Sequence, residues 1–382
     1  MIYLDNAATT FPKPDIVYEA MDSMSRNAAV NAGRGSYRLA REASKLVAET
    51  KQLLRERLHL DIFASVVFTP SVTIAMNQIV NGLMMRDNAT IYLSPYEHNA
   101  VARPVFQLSK SKKVQIRELP MRLDTLEIDL EKMKYDFSKD KPDVVFCTHV
   151  SNVTGYILPV EEIFNEAKKY QSITILDSAQ SLGLIDVKPK ELKADIVAFA
   201  GHKTLYGPLG IGGFVNLSNI PLEVYISGGT GSESLNLEMP EGSESRYEVA
   251  SSNIVAVAGL NAALKVLDQK KIFEHEKELL EYAYSKLSKI EKIRICMPQN
   301  HEQYVGIISF MVEGVSSEDV GMILDEDFDI AVRTGYHCAP YIHHYLKDKS
   351  SLGTVRVGLG QFSTKEEVDK LVFAIIDIVG EN

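Results

Sequence analysis

Apolar positions recur along this chain with two periods. Between 38 and 58, Leu39, Ala43, Leu46, Leu53 and Leu54 fall on one side of a helix, the spacing that buries one face against a core. The stretch 365–379 repeats that period, and Thr364 and Glu367 at its start have capping-box spacing. A third helical pattern runs from about 255 to 290. Between these lie short β-rich runs: ASVVFTP, ATIYLSP, DVVFCTHV, ITILDSA and DIVAFAG. Each ends in turn or polar residues, and helical stretches separate several of them. That alternation predicts an α/β fold with a mainly parallel sheet. After about 260 the pattern changes to a long helix, a few strands and a closing helix. We expect a large domain over 15–260 and a smaller α+β domain built from 1–14 and 261–382. The polar stretch 229–247 has little to bury and reads as an exposed or mobile loop.

Composition narrows the function classes. The 382 residues carry 41 basic and 51 acidic side chains, a net charge of 41 − 51 = −10. An acidic chain without a basic block is a poor partner for nucleic-acid phosphates. No apolar run has membrane-spanning length, and the polar start MIYLDNAATTFPKP does not read as a signal peptide. The three cysteines, Cys147, Cys296 and Cys338, are an odd set. They suit a reducing, cytoplasmic setting rather than a disulfide framework. Cys147 and Cys296 lie in apolar runs and read as buried, inert thiols.

In an open α/β sheet, ligands sit at the carboxyl ends of the strands. ITIL ends in Asp177, with Gln180 three residues on. DIVAFA ends in Gly201-His202-Lys203, DVVFCTHV in Ser151-Asn152, and ATIYL leads to Glu97-His98. No G-x-G-x-x-G follows the first strand and no G-K-[ST] loop is present; the glycines of GPLGIGGF read as tight turns. A lysine opposite a carboxylate at such an edge suits pyridoxal 5'-phosphate (PLP). The lysine amine holds the cofactor aldehyde, the carboxylate pairs with the pyridine nitrogen, and a helix N-terminus suits the phosphate. Lys203 and Asp177 are the candidates. His337, His343 and His344 match no common zinc spacing, and no metal is expected.

Nine segments carry a resemblance: YLDNAATT at 3–10, NAGRG at 31–35, FTPSVTIAMN at 68–77, EHNAV at 97–101, VSNVTG at 150–155, LDSAQ at 176–180, GHK at 201–203, RTGYHCAP at 333–340 and TVRVGL at 354–359. Together they make the chain similar to the cysteine desulfurase and selenocysteine lyase group of class V aminotransferase-like PLP enzymes. The resemblance spans nearly the whole length. It implies the aspartate-aminotransferase fold (fold type I), with a mainly parallel seven-stranded sheet. It implies Lys203 as the cofactor-linking lysine, Asp177 as the pyridinium partner and His98 as a stacked imidazole and proton relay. Gln180 and Asn152 would touch the ring oxygen or substrate. His202, Thr73 and the backbone at Val72 would hold the phosphate. Arg356 would clamp the substrate carboxylate with paired hydrogen bonds, while Asn6 and Ala7 would line the substrate site and Arg34 its mouth. Cys338 would take the sulfur of L-cysteine as a persulfide, leaving alanine, and a flexible loop would carry it to an acceptor protein or thiol. His337 and Arg333 are the neighbours able to favour its thiolate.

The chain departs from that pattern at Ala200, where many relatives have serine, and at Ser251, where relatives have threonine reaching the other subunit's cofactor. Ser251 keeps a hydroxyl, so a homodimer with shared sites is expected. One lost hydroxyl costs on the order of 1 kcal/mol of cofactor affinity. Ile74 replaces a frequent glutamate, and the tail Ala-Pro-Tyr-Ile-His-His-Tyr after Cys338 departs from the commoner C-A-x-P. Selenocysteine lyase, another PLP lyase on the same fold, and a non-catalytic partner protein are the competing readings.

Overall fold

The structure is a computed structural model, and it describes residues 1–33, 35–231, 233, 235–242, 244–297 and 303–380. β1 (Ile2–Tyr3) leads to two helices, α1 (Asp15–Asn27) and α2 (Arg38–Arg57). Strand and helix then alternate: β2 (Ser65–Thr69), α3 (Val72–Gly82), β3 (Ala89–Leu93), α4 (Asn99–Ser111), β4 (Val114–Glu118), α5 (Leu130–Lys139), β5 (Val144–Thr148), α6 (Val160–Lys168) and β6 (Ile173–Asp177). β7 (Ile196–Ala200), β8 (Gly212–Asn216), α7 (Ile254–Val266) and α8 (Gln269–Leu287) come next. The chain closes with β9 (Ile293–Ile295), β10 (Ile307–Val312), α9 (Ser317–Phe328), β11 (Ile330–Ala331), β12 (Arg333–Gly335), α10 (His343–Leu346), β13 (Thr354–Gly358) and α11 (Lys365–Val379).

Seven strands form the central sheet in the order β2-β8-β7-β6-β5-β3-β4. The pairs from β7 through β4 are parallel, while β8 runs antiparallel to both β2 and β7. This is the expected α/β architecture. Every residue of β3, β5 and β7 is buried, as a sheet covered by helices on both faces requires. A second sheet, β12-β13-β10-β9, is antiparallel throughout. The N-terminus forms a separate two-stranded parallel sheet, β1 with β11, and Asp5 bridges to Gly358 at the end of β13.

Three elements differ from the pattern reading. β4, VQIRE, alternates between half-buried and exposed residues because it is the sheet's edge, where charge is tolerated. Gly212 and Gly213 are strand residues, not turn residues. A Cβ on Gly213 would stand 2.0 Å from the Val67 carbonyl, and one on Gly212 would stand 2.8 Å from the Val72 nitrogen. The bare backbone lets β2 and α3 approach. The pattern from 255 to 290 is two helices, because the Asp268 side chain accepts from Lys271 N and starts α8 anew. Elsewhere the pattern holds. α11 carries both halves of its capping box. The described part of 229–247 is irregular and largely exposed, with Leu235 and Leu237 fully in solvent. Its end is pinned where Glu244 accepts from Lys51 Nζ at 2.8 Å. Cys147 and Cys296 are buried. No described helix is long and apolar enough to cross a membrane.

Candidate active site

Asp177 ends β6 and Lys203 lies just beyond its neighbour β7, so parallel pairing alone brings an acid and an amine to one sheet edge. Asp177 is buried and Lys203 half-buried, and each acts on the other's ionisation, with no hydrogen bond or ion pair joining them. Burial pushes Lys203 down to about 8, against the pull of Asp177, with Arg356 and Arg333 adding to the fall. Burial raises Asp177, whose Oδ1 accepts from Ala179 N at 2.9 Å. No helix starts there, so the carboxylate is not a helix cap. An acid and an amine set at one sheet edge without pairing suit a group that offers a cation to one and a carbonyl carbon to the other.

His98 is the N-cap of α4. Its Nδ1 accepts from Ala100 N at 3.0 Å, which puts the ring hydrogen on Nε2. Burial, with Lys203 and Arg333 nearby, pushes it down to about 3, so the ring is neutral at working pH. α3 begins at Val72 under the Ser71 cap, close against Gly212. The N–H groups of a first helical turn lack intrahelical partners and suit a phosphate. Thr73 shares a cavity of about 460 Å³ with His98, Arg103, Tyr225 and Cys338. His202 is pushed down to about 4 by burial, and its buried Nδ1 has no partner. Its carbonyl accepts from Lys13 Nζ at 2.8 Å and Thr9 Oγ1 at 3.1 Å. These features fit PLP: an amine facing a carboxylate, a neutral imidazole, an orphan nitrogen and an open helix N-terminus.

The N-terminal segment closes the other side. Gln180 Nε2 donates to the Ala7 carbonyl at 2.7 Å, and Asn6 Nδ2 donates to Gly358 O at 3.0 Å. Arg356, 1% exposed, donates through Nη1 to Asn152 O at 2.9 Å and through Nη2 to Asp5 Oδ1 at 2.6 Å. Its buried Nε has no partner, so one donor of the expected clamp remains open. Asp5, inside the segment YLDNAATT, is a site residue that the sequence alone did not single out. An acid in a segment expected to line the site was the available signal.

Cys338 lies on a turn closed by Ala339 N donating to Tyr336 O at 3.0 Å. Asn152 Nδ2 donates to His337 O at 2.7 Å, and Asn99 N to Cys338 O at 2.6 Å. Arg333 Nη2 donates to the Cys338 sulfur at 3.0 Å. Arg333 is thus the cation beside the thiol. His337 is buried and pushed far below its ordinary range, and it turns instead to Thr354 Oγ1 at 2.7 Å. The expected flexible loop is a turn tied at several points. Ser251 is exposed and hydrogen-bonded by Asn31 Nδ2 at 3.0 Å. Arg34 lies outside the described residues. Among the described residues no cluster of His, Cys, Asp and Glu is set to hold a metal.

Comparisons with known proteins agree with this geometry. The family "Aminotransferase class-V" matches residues 2–371. A probable cysteine desulfurase of Pyrococcus abyssi is 32% identical, covering 99% of this chain and 94% of that protein. One of Halalkalibacterium halodurans is also 32% identical, over 97% of this chain and 91% of that protein. The apo structure of a cysteine desulfurase from Thermococcus onnurineus superposes with a TM-score of 0.91 at 30% identity, covering all of this chain and 95% of the other. The chain therefore belongs to the class-V aminotransferase family and, within it, to the PLP-dependent cysteine desulfurases.

Proposed function

We propose that this protein removes sulfur from L-cysteine, releasing L-alanine and leaving a persulfide on Cys338. The observation that carries the reading is the setting of that thiol: it is half-buried and held 3.0 Å from the Arg333 guanidinium, on a turn tied to Asn152 and to the first residue of the His98-capped helix. Cys147 and Cys296 are buried, and burial raises both thiols. Cys338 is the thiol that meets a cation at its sulfur and is not fully buried.

Bound PLP supplies the carbonyl carbon that captures the substrate amine and the electron sink for its α-carbon. Asp177 would hold a proton at the cofactor's ring nitrogen. Lys203 would hold the cofactor and take the proton from the substrate α-carbon, a general-base step suited to an amine brought down to about 8. Arg356 would bind the substrate carboxylate through paired guanidinium donors, with Asn6 and Ala7 lining that side. His98, a neutral imidazole, would lie against the cofactor and relay protons. Asn152 and Gln180 would contact the cofactor or substrate, and Val72, Thr73 and His202 would hold the phosphate. Cys338 thiolate attacks the substrate sulfur. The S–S bond forms, the C–S bond breaks with its electron pair left on the β-carbon, and protonation of that carbon together with return of a proton to the α-carbon gives alanine.

We further propose a cytoplasmic homodimer in which Ser251 reaches the partner's cofactor. The exposed hydroxyl of Ser251 supports that reading. The large domain would comprise 15–260, and the small domain 1–14 with 261–382. A protein or small thiol accepts the sulfur.

The test is a visible absorption spectrum of the purified protein with PLP, before and after L-cysteine, with alanine assayed in the same tube. We expect a yellow band that is absent in Lys203→Ala, and alanine formation. A yellow band without alanine would move the protein to another substrate.

A further inference from the structure

The tail after Cys338 is where this sequence leaves the commoner pattern of its family, and it contains a buried pair that the proposed chemistry does not use. His343, 6% exposed, opens the four-residue helix α10, and Asp348 is fully buried five residues later. His343 Nδ1 meets Asp348 Oδ2. Its Nε2 stands 3.0 Å from the Tyr336 carbonyl oxygen. The Tyr336 carbonyl can only accept, so Nε2 carries a hydrogen toward it, and Nδ1 shares a hydrogen with the Asp348 carboxyl group. The Tyr336 ring packs edge-on against it at 5.0 Å.

The Tyr336 carbonyl also closes the Cys338 turn, since it accepts from Ala339 N. Both central residues of that turn are left-handed, His337 at φ 46° and Cys338 at φ 58°. Neither is glycine, so the conformation persists only where its surroundings impose it. Asn152 and Asn99 hold the turn from the side of the large sheet. His343 holds it from the opposite side. Asp348 is itself fixed, its carbonyl accepting from Gly353 N and Ser351 Oγ, each at 3.0 Å. These two residues lead into β13, which carries Arg356.

We propose that the His343–Asp348 pair is a positioning clamp for the sulfur-accepting thiol: it grips the Tyr336 carbonyl and so holds Cys338 where substrate sulfur is delivered. The clamp's consequence for turnover rests on the desulfurase reading above; its consequence for the turn does not. The pair's ring contact is to Tyr336, not to Lys203, Asp177 or Arg356, so it acts as a positioning pair on the Cys338 turn.

Asp348→Ala, His343→Ala and Asp348→Asn separate the possibilities in the PLP-loaded enzyme. Amide hydrogen exchange at Cys338 and Ala339 should quicken about tenfold or more in the two alanine variants. Their kcat for alanine should fall on the order of 10- to 100-fold, because a small misplacement of a reacting atom is costly. KM for L-cysteine should stay within about twofold and the cofactor band unchanged, since substrate binding is not touched. Asp348→Asn should restore most of both readouts. A neutral His343 then accepts from the amide at Nδ1 and still donates from Nε2 to Tyr336. Unchanged exchange in Asp348→Ala would overturn the proposal, as would faster exchange with unchanged kcat. Asp348→Asn as damaging as Asp348→Ala would overturn the hydrogen-bond account. If His343→Ala fails to fold, the two Asp348 variants decide alone. A wild-type protein that binds PLP but forms no alanine would defeat the desulfurase reading, and the exchange measurement would still judge the clamp.

Discussion

Lys203 and Cys338, the two side chains assigned to bond making, are held by different physics. Lys203 lies just beyond β7, five apolar residues buried on both faces in the middle of a sheet. Its position comes from hydrophobic pattern and parallel pairing, and Asp177 arrives beside it because β6 is the adjacent strand. Cys338 sits on a left-handed turn outside any strand, fixed by polar contacts from distant parts of the chain: Asn99, Asn152 and Arg333, with His343 behind. An apolar strand positions the residues at its end with local information. A polar turn needs partners that are remote in sequence, and loses its geometry when one of them goes.

The largest effect expected is at the strand-borne side. Lys203→Ala should abolish the cofactor band and cut alanine formation on the order of 10⁴-fold, the upper end for a general base; stopped assays with quantified alanine check it. Cys338→Ser should keep the band and lose desulfuration by at least about 10²-fold, since a hydroxyl is a far weaker nucleophile than a thiolate. If Cys338→Ser also lost the band, the two regions would not be separable as described. Arg356→Lys should raise KM for L-cysteine about 10-fold with a smaller change in kcat, because lysine cannot make paired hydrogen bonds to a carboxylate. It should also unsettle Asp5 and the Asn152 carbonyl, which Arg356 now serves.

The smallest effect concerns what joins the two regions. Glu276 on α8 hydrogen-bonds Tyr206, three residues past Lys203, and the Gly306 amide that precedes β10, and burial pushes it up to about 8. An acid whose folded value lies above its unfolded value gives full stability below the unfolded value, near 4.5, and loses it as pH rises through about 8. Glu276→Gln mimics the neutral form. Its thermal stability relative to wild type should grow from near zero at acid pH to on the order of 1–3 kcal/mol above the folded value. A difference that is constant with pH would contradict the assignment.

The same contrast explains what was legible in the sequence. Strands buried on both faces announced themselves, and with them the chain positions of Asp177, His98, Asn152 and Lys203. The mixed edge strand β4 did not, because its residues answer to solvent. The glycines of β8 misled, because their reason is the approach of Val67 and Val72 from another element. In the site, the sequence offered His337 and Arg333 equally as neighbours of the thiol. Only the backbone turn decided that His337 faces Thr354 and Arg333 faces sulfur. Asp5 and Asp348 are acids whose partners, Arg356 and His343, become visible only when the chain is folded.

The central claim is that sulfur leaves L-cysteine onto Cys338. It is tested most directly by a single turnover of the PLP-loaded protein with L-cysteine and no added thiol, with mass analysis of the Cys338 peptide and quantification of alanine. One added sulfur atom on that peptide, in step with alanine formed, is the predicted result. Alanine formed with Cys338 unmodified, or sulfur found on Cys147 or Cys296 instead, would contradict it.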